Sequence, residues 1–385
     1  MSAALGGPGI EPGVGPWQWR VARDPAAWEA LASEWNALSS NLSPLADATW
    51  ACCLAGAFYR LERTPVEVHA AYAGNRLRAV LPLERRPGLS RVWASLENEH
   101  TPYWLFPSPD PTIEQARAII DHLLSDADYI FFRRLHLDGP MCRLLVEASR
   151  AAGLRTSLIQ SEEGDTILPL RRPWEDFRAS LPKNILQDVP RKMRNLSKQG
   201  ELRLEMVTQP SELDAALTEC FALEAKGWKG QTGSPMRAQP ATHRFYTDIA
   251  RQMSARGRFA LCLLRLNQRI IAFEYWLRGS GHIEMLKISF DPEFSKLSPG
   301  GVLRYLALKQ EIETGDSTSY HLGRPSDWKL RWTGVVQPLC TLRVYARTVK
   351  GSLAFLAGPA LRSTLKRYRP LQTMWRRFER RFLGD

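Results

Sequence analysis

Ser298-Pro299-Gly300-Gly301 stands between an apolar strand and a helix-forming run, within the stretch GHIEMLKISFDPEFSKLSPGGVLRYLALKQEIETGDSTSYHLGRPSDWKLRWTG at residues 281–334. A glycine turn at the head of a helix presents unpaired backbone N–H groups at the positive end of the helix dipole, so this order of residues can hold a phosphate. The same order also occurs in plain turns, and that reading stays open. Other chemistries lack their residues. There is no G-x-S-x-G elbow, no H-E-x-x-H pair, no G-x-x-x-x-G-K-[ST] loop and no dinucleotide fingerprint, which argues against hydrolase, metalloprotease, kinase and dehydrogenase functions. The Cys and His spacings match no zinc site, and no metal is expected.

The loop is positioned by a strand at 282–290, a helix at Val302–Thr314 and a second strand at Ser319–Leu322. The helix period sends Leu303, Leu306 and Leu308 toward a core and Arg304, Lys309, Gln310 and Glu313 elsewhere. Gly315 then serves as a C-cap. Alternation along the first strand puts His282, Glu284, Leu286 and Ile288 on one face and Ile283, Met285, Lys287 and Ser289 on the other.

The same order of elements occurs earlier in the chain. VEVHAAYAGNRLRAVLPLER (Val66–Arg85) and FALCLLRLNQRIIAFEYWLR (Phe259–Arg278) each read as a hairpin, turning at Asn75-Arg76 and Asn267-Gln268. Each is followed by a strand (Val92–Glu97), a loop, a helix (Thr112–Leu124) and a strand (Tyr129–Phe132), or their counterparts in the second half. Agreement over five consecutive elements, about 190 residues apart, indicates a domain-sized duplication. The halves differ at the loop. The first offers Ser108-Pro109-Asp110-Pro111, with two prolines that lack amide donors and an aspartate that repels phosphate. Its expected role is to support the second half and wall a cleft between them. Between the halves, Trp174–Gln199 reads as a basic helical segment interrupted by Pro182 and Pro190, and Ser211–Lys226 as an amphipathic helix.

The chain has 385 residues, 44% hydrophobic and 24% charged, which suits an ordinary globular protein long enough for two cores. No apolar run approaches the length of a membrane span. The first 16 residues lack the pattern of a signal peptide and read as a flexible tail. Six scattered cysteines in apolar contexts read as free thiols in a reducing cytoplasm. The net charge of +12 requires an anionic partner or a solvated explanation. It is concentrated in Lys183–Lys198 and in the tail from Arg362. There Trp375, Phe378 and Phe382 flank arginines, so the tail suits either the anionic surface of the inner membrane or packing across the domains.

Lys287, Phe290-Asp291-Pro292, Leu297-Ser298-Pro299-Gly300-Gly301, Gly315, Gly323, Trp328-Lys329 and Trp332, together with Glu224-Ala225-Lys226-Gly227-Trp228-Lys229-Gly230 upstream, carry a resemblance to GNAT-type acyltransferases. The pattern is most similar to the acetyltransferase branch associated with the cellulose-biosynthesis protein CelD, related in turn to Fem-type peptidyltransferases. One departure stands out: Lys296-Leu297-Ser298-Pro299-Gly300-Gly301 lacks the R-x-x-G-x-G order of the usual pyrophosphate loop. The resemblance implies an α/β (α+β) fold of two tandem GNAT-like domains, each a mixed central sheet flanked by helices, plus a basic helical tail. The expected boundaries are 1–16 tail, 17–160 degenerate first domain, 161–347 acyltransferase domain and 348–385 amphipathic tail. The implied reaction is N-acylation of an amino group on a sugar or small metabolite, in polysaccharide or envelope synthesis. Acyl-CoA, with acetyl-CoA foremost, is the co-substrate.

Acyl transfer to an amine needs a proton acceptor, stabilisation of an oxyanion and a proton for the leaving thiolate. Glu284 is the expected general base, with Glu274 in reserve. Tyr320 and His321 stand where an acid for the thiolate would be. By the resemblance, Lys329 approaches the transferred carbonyl or an acidic group of the acceptor. Lys287, Lys296, Ser298, Gly300, Gly301 and Val302 are the expected donor-binding residues. Trp228, Lys229, Asp327 and Trp328 are those for the acceptor. Two rivals stay open: transfer from charged tRNA, with Lys183–Lys198 on its backbone, and a non-catalytic scaffold of a polysaccharide-synthesis complex.

Overall fold

The computed structural model describes residues 17–59, 65–226 and 239–358. Twelve strands form one sheet: β1 (Gln18–Ala22), β2 (Val66–Ala73), β3 (Arg76–Arg86), β4 (Val92–Ser95), β5 (Tyr129–His136), β6 (Arg155–Pro169), β7 (Leu202–Val207), β8 (Phe259–Leu266), β9 (Arg269–Gly279), β10 (His282–Phe290), β11 (Ser319–Gly323) and β12 (Val336–Tyr345). Their order across the sheet is β1-β2-β3-β4-β5-β12-β6-β11-β10-β9-β8-β7. β4 and β5 are parallel, as are β10 and β11, and every other neighbouring pair is antiparallel.

The order is symmetric about the central β12–β6 pair, so the repeat seen in the sequence is also a repeat of pairings. The halves exchange their last strands. β6, which follows the first half in sequence, joins β11 of the second, and β12 returns to join β5 of the first. β6 therefore runs through the boundary expected at 160/161.

Burial patterns explain why these segments form strands. β8 and β9 are buried on both faces and read as continuous apolar runs rather than alternating ones. One face of the sheet carries a core shared by both halves, where the helices Pro25–Leu38 and Ala48–Phe58 meet Pro210–Lys226 and Pro240–Ser254. On the other face, the helices Trp174–Ser180, Lys183–Ser197 and Pro299–Thr314 cover the second half, and Ile113–Leu124 and Pro140–Ala151 cover the first. Asp47 caps the Ala48–Phe58 helix by accepting from the Thr49 amide at 2.8 Å. The same carboxylate, fully buried, pairs with Arg256 at 2.5 Å and Arg258 at 2.7 Å, so a helix cap of one half is tied to the strand entry of the other.

Several local expectations are corrected. The long helix starts at Pro299, not Val302, because proline fits the first helical position and Ser298 takes the left-handed turn before it, at φ 48°. Arg304 is buried rather than facing outward. Pro190 lies inside the Lys183–Ser197 helix without ending it. Alternation along β10 fails at a β-bulge around Leu286, where Met285 pairs with Trp276 and Lys287 with Tyr275. The extra residue shifts the pleat by one position. Lys287 therefore shares the face of Glu284, over the Tyr246 ring, while Ile288 turns to the helix face.

Candidate active site at the parting of two strands

β10 and β11 pair only over His282–Glu284 with Ser319–His321, and beyond that point the parallel strands separate. A cavity of about 880 Å³ fills the gap. Its wall includes Ser298, Gly300, Gly301 and Val302 from the helix face and His100, Tyr246 and Lys287 from the opposite face, so the cavity passes through the sheet. Two reactants entering from opposite faces would meet between the strands. Seven Arg or Lys side chains line it against three Asp or Glu, a balance that favours an anionic ligand.

At the helix face, the Ser298 carbonyl accepts from the Gly301 and Val302 amides at 2.9 and 3.2 Å. Pro299 has no amide hydrogen, which leaves the Gly300 N–H, bonded to nothing among the described residues, at the positive helix end. A Cβ at Gly300 would come within 3.3 Å of Ile288, so the bare backbone leaves room for close approach. The first half shows how such a turn is closed. Asp110 repeats the left-handed φ of 48°, but Thr112 and Gln115 form a capping box that engages two of the amides there. Lys296 is exposed on the short Pro292–Leu297 helix and lies outside the cavity wall.

Lys329 and Trp328 line the other rim. The Lys329 ammonium donates to the Arg324 carbonyl at 2.8 Å and lies 5.4 Å from the centre of the Trp328 ring. Gly323, at φ 69°, brings bare backbone to the wall near this ammonium, and its amide donates to Asp165. Asp327 is exposed and away from the wall. Trp228 and Lys229 lie outside the described residues.

The remaining expected residues sit behind the wall in two buried polar clusters. In the first, Glu274 accepts from Tyr320 at 2.6 Å, Trp276 at 2.8 Å and Arg304 at 2.5 Å, with the guanidinium also 4.6 Å from the centre of the Trp328 ring. Burial pushes the Tyr320 hydroxyl well above its ordinary pKa, so it stays protonated and donates. In the second cluster, Glu284 accepts from Ser43 at 2.8 Å and Tyr103 at 2.5 Å, both from the first half. Burial raises its pKa above the usual carboxylate range against the pull of His321. His321 lies 2.6 Å from Asp165 and 3.3 Å from His282. Burial opposes its charge, but Glu284 and Asp165 outweigh burial and raise its pKa to about 9. Arg304, Asp165, Tyr103, Ser43 and His100 escaped the sequence reading, because no helical or strand period reports which distant residue a buried side chain pairs with.

Residues 183–330 match the family described as Acetyltransferase (GNAT) domain. No curated protein matches the sequence. Among solved structures, the chain is similar to FemX, at 14% identity and a TM-score of 0.56, covering 84% of this chain and 98% of that one. It is also similar to a conserved protein of unknown function from Bacteroides thetaiotaomicron, at 12% identity and 0.53, covering 83% and 97%. A third is the C-terminal domain of a putative lysylphosphatidylglycerol synthetase from Agrobacterium fabrum, at 12% and 0.52, covering 86% and 96%. At these identities the structures share the fold. The domain match adds the class of chemistry for that segment: residues 183–330 are similar to GNAT acetyltransferase domains.

Proposed function

We propose that the protein transfers an acyl group, acetyl foremost, from acyl-CoA to the amino group of a sugar or small metabolite of polysaccharide or envelope synthesis. The observation that carries this is the cavity through the parted strands, with the Gly300 amide and a helix N-terminus at one face. The donor pyrophosphate would lie on Ser298–Gly301, and its thioester would enter the gap. The acceptor would come from the opposite face. Lys329 would stabilise charge growing on the acyl oxygen or bind an acidic group of the acceptor. The hydrogen bonds of Glu284 and Glu274, and their places behind the wall, favour a part in holding the strands apart.

The test is thermal stability with acetyl-CoA and longer acyl-CoAs, for wild type and Gly301→Trp. A ligand bound only by the folded state raises the midpoint. A rise in wild type that the variant loses supports the loop as donor site, and no rise with any thioester refutes the reading. Lys329→Ala should then lower kcat while keeping the donor-induced shift.

A second reading is transfer from charged tRNA. It draws support from the FemX-like fold and from Lys192, on the basic Lys183–Ser197 helix, at the cavity wall. tRNA binding that weakens steeply with salt, without thioester turnover, would favour it. At the end of the chain, the Val349–Ala357 helix exposes Val349, Leu353 and Leu356, spaced as one stripe, just before the basic residues of the tail. Contact with an anionic membrane surface is the partner this stripe suits.

A further inference from the structure

Consecutive residues of β6 seat the turn that leads to Lys329. Glu163 meets Arg324, Gly164 meets Pro325 and Asp165 meets Gly323. The Asp165 carboxylate accepts from the Gly323 amide at 3.2 Å. Glu163 accepts from the Arg324 guanidinium, and its other oxygen lies 3.4 Å from Nε of Arg134 on β5. A Cβ at Gly164 would come within 3.6 Å of Pro325 and 2.6 Å of Val336, so Pro325 sits on bare backbone.

Strand register places the seat here. β6 pairs with β11 only over Thr166–Pro169, and the ladder is irregular between His321 and Gly323, where it ends. On its other side, β6 bulges against β12 between Gln160 and Gly164. Bulges of this kind re-aim side chains or terminate pairing. The last residue of β11 thus gives its amide to a side chain of β6 at the mouth of the cavity, which Glu163, Gly164, Gly323, Arg324 and Lys329 all line.

Asp165 is itself fixed. It is fully buried, and its second oxygen accepts from Nδ1 of His321 at 2.6 Å. That imidazole, raised to about pKa 9, is charged at neutral pH. One oxygen serves the imidazole and the other the amide, so the carboxylate cannot turn without stranding a buried group. Downstream, Gly323 takes the left-handed conformation at φ 69°, and the next carbonyl, of Arg324, accepts from the Lys329 ammonium at 2.8 Å. A Cβ at Gly323 would lie 4.0 Å from that nitrogen, so the ammonium stands over the backbone that Asp165 holds.

We propose that Asp165 is a positioning residue for the transfer: through the Gly323 amide and the Arg324 carbonyl it aims the Lys329 ammonium into the gap between β10 and β11. The assignment rests on the acyl-CoA reading above, with Lys329 as the group that meets the transferred carbonyl. A charge that stabilises a developing oxyanion works by being in place before reaction. Lysine ends a flexible four-carbon stem and does not supply that placement alone. Misplacement by about 1 Å can cost about 10²-fold in rate. β6 follows the first half in sequence, so the exchange of last strands is what brings this seat beneath the turn of the second half.

The experiment uses the full chain with acetyl-CoA and a panel of amines that includes an amino sugar and an aliphatic diamine. Asp165→Ala should lower kcat by about 10-fold or more, with the KM for acetyl-CoA and the acetyl-CoA-induced thermal shift unchanged. Asp165→Asn keeps an oxygen for the Gly323 amide and should restore kcat to within about threefold of wild type. In a Lys329→Ala background, Asp165→Ala should lower kcat no further, because the two residues act as one unit. The rate at which an N-hydroxysuccinimide acetate ester labels Lys329, read by peptide mass, reports the same coupling without turnover. It should rise in Asp165→Ala and stay at the wild-type value in Asp165→Asn. Wild-type turnover in Asp165→Ala or in Lys329→Ala, equal losses from Asp165→Ala in both backgrounds, or an Asp165→Asn as slow as Asp165→Ala overturns the assignment and leaves the acyl-CoA reading standing. A loss that only tracks loss of folded protein or of donor binding overturns it too, in favour of a structural carboxylate. Wild type that binds no thioester, or binds it without transfer to any amine, refutes the acyl-CoA reading and the assignment with it.

Discussion

Glu274 and Arg304 form an ion pair with almost no exposure to solvent, and its removal can be predicted in some detail. Glu274 is fully buried and Arg304 is 1% exposed. Glu274→Met keeps the volume but leaves the guanidinium with only Tyr320, 3.3 Å away, and the Trp328 and Trp332 rings for company. Breaking a buried pair from one side typically costs about 3–5 kcal/mol, because an uncompensated charge stays behind. The Tyr320 hydroxyl and Trp276 N–H also lose their acceptor, which pushes the cost toward the upper end. Against a total stability of order 5–15 kcal/mol, that is a large fraction. Urea unfolding of Glu274→Met, Arg304→Met and the double variant measures it. Both singles should fall by about 3 kcal/mol or more, and the double should recover most of the loss, since apolar side chains of similar volume often replace a buried pair without penalty. A single variant within about 1 kcal/mol of wild type, or a double no better than the singles, would refute this account. A stable double that binds donor but does not turn over would return Glu274 to the chemistry.

Two further outcomes follow from charge. A rise of the His321 pKa from 6.5 to about 9 corresponds to roughly 3 kcal/mol of stability. Because the folded value lies above the unfolded one, this contribution is fully present below about pH 6.5 and is lost as pH rises through 9. The stability difference between wild type and His321→Gln should therefore shrink between pH 6.5 and 9.5, and thermal melts across that range would show it; a constant difference would disprove the charged imidazole. The full chain should also sediment with vesicles rich in phosphatidylglycerol but not with pure phosphatidylcholine, less so at high salt, and Leu353→Glu should weaken that binding. Equal binding to both vesicle types would exclude a role for the basic tail.

Much of the second half was legible because its signals are local. The His282–Phe290 strand, the Asn267-Gln268 turn and the glycine turn before the long helix all follow from side-chain period and turn chemistry. The repeat made the first half legible by the same means, and its prolines and Asp110 already marked the closed turn. Lys287 was placed on the wrong face, because a bulge is set by how two strands register and leaves no trace in alternation. Arg304 was sent to solvent because a charged residue on a helix is normally exposed. Only its partner on a strand 30 positions away makes burial tolerable.

By itself, then, the sequence determined the order of elements, their duplication, the asymmetry of the two turns and the positive charge, all of which depend on residues near one another in the chain. The tertiary structure alone decided that the halves exchange their last strands, that β10 and β11 part to open a cavity through the sheet, and that Glu284 meets Ser43 and Tyr103. It also decided that His100 of one half faces the site of the other. Apart from the parting of β10 and β11, those contacts join positions more than a hundred residues apart. Their free energy comes from burial and pairing across the sheet, for which a linear pattern carries no signal.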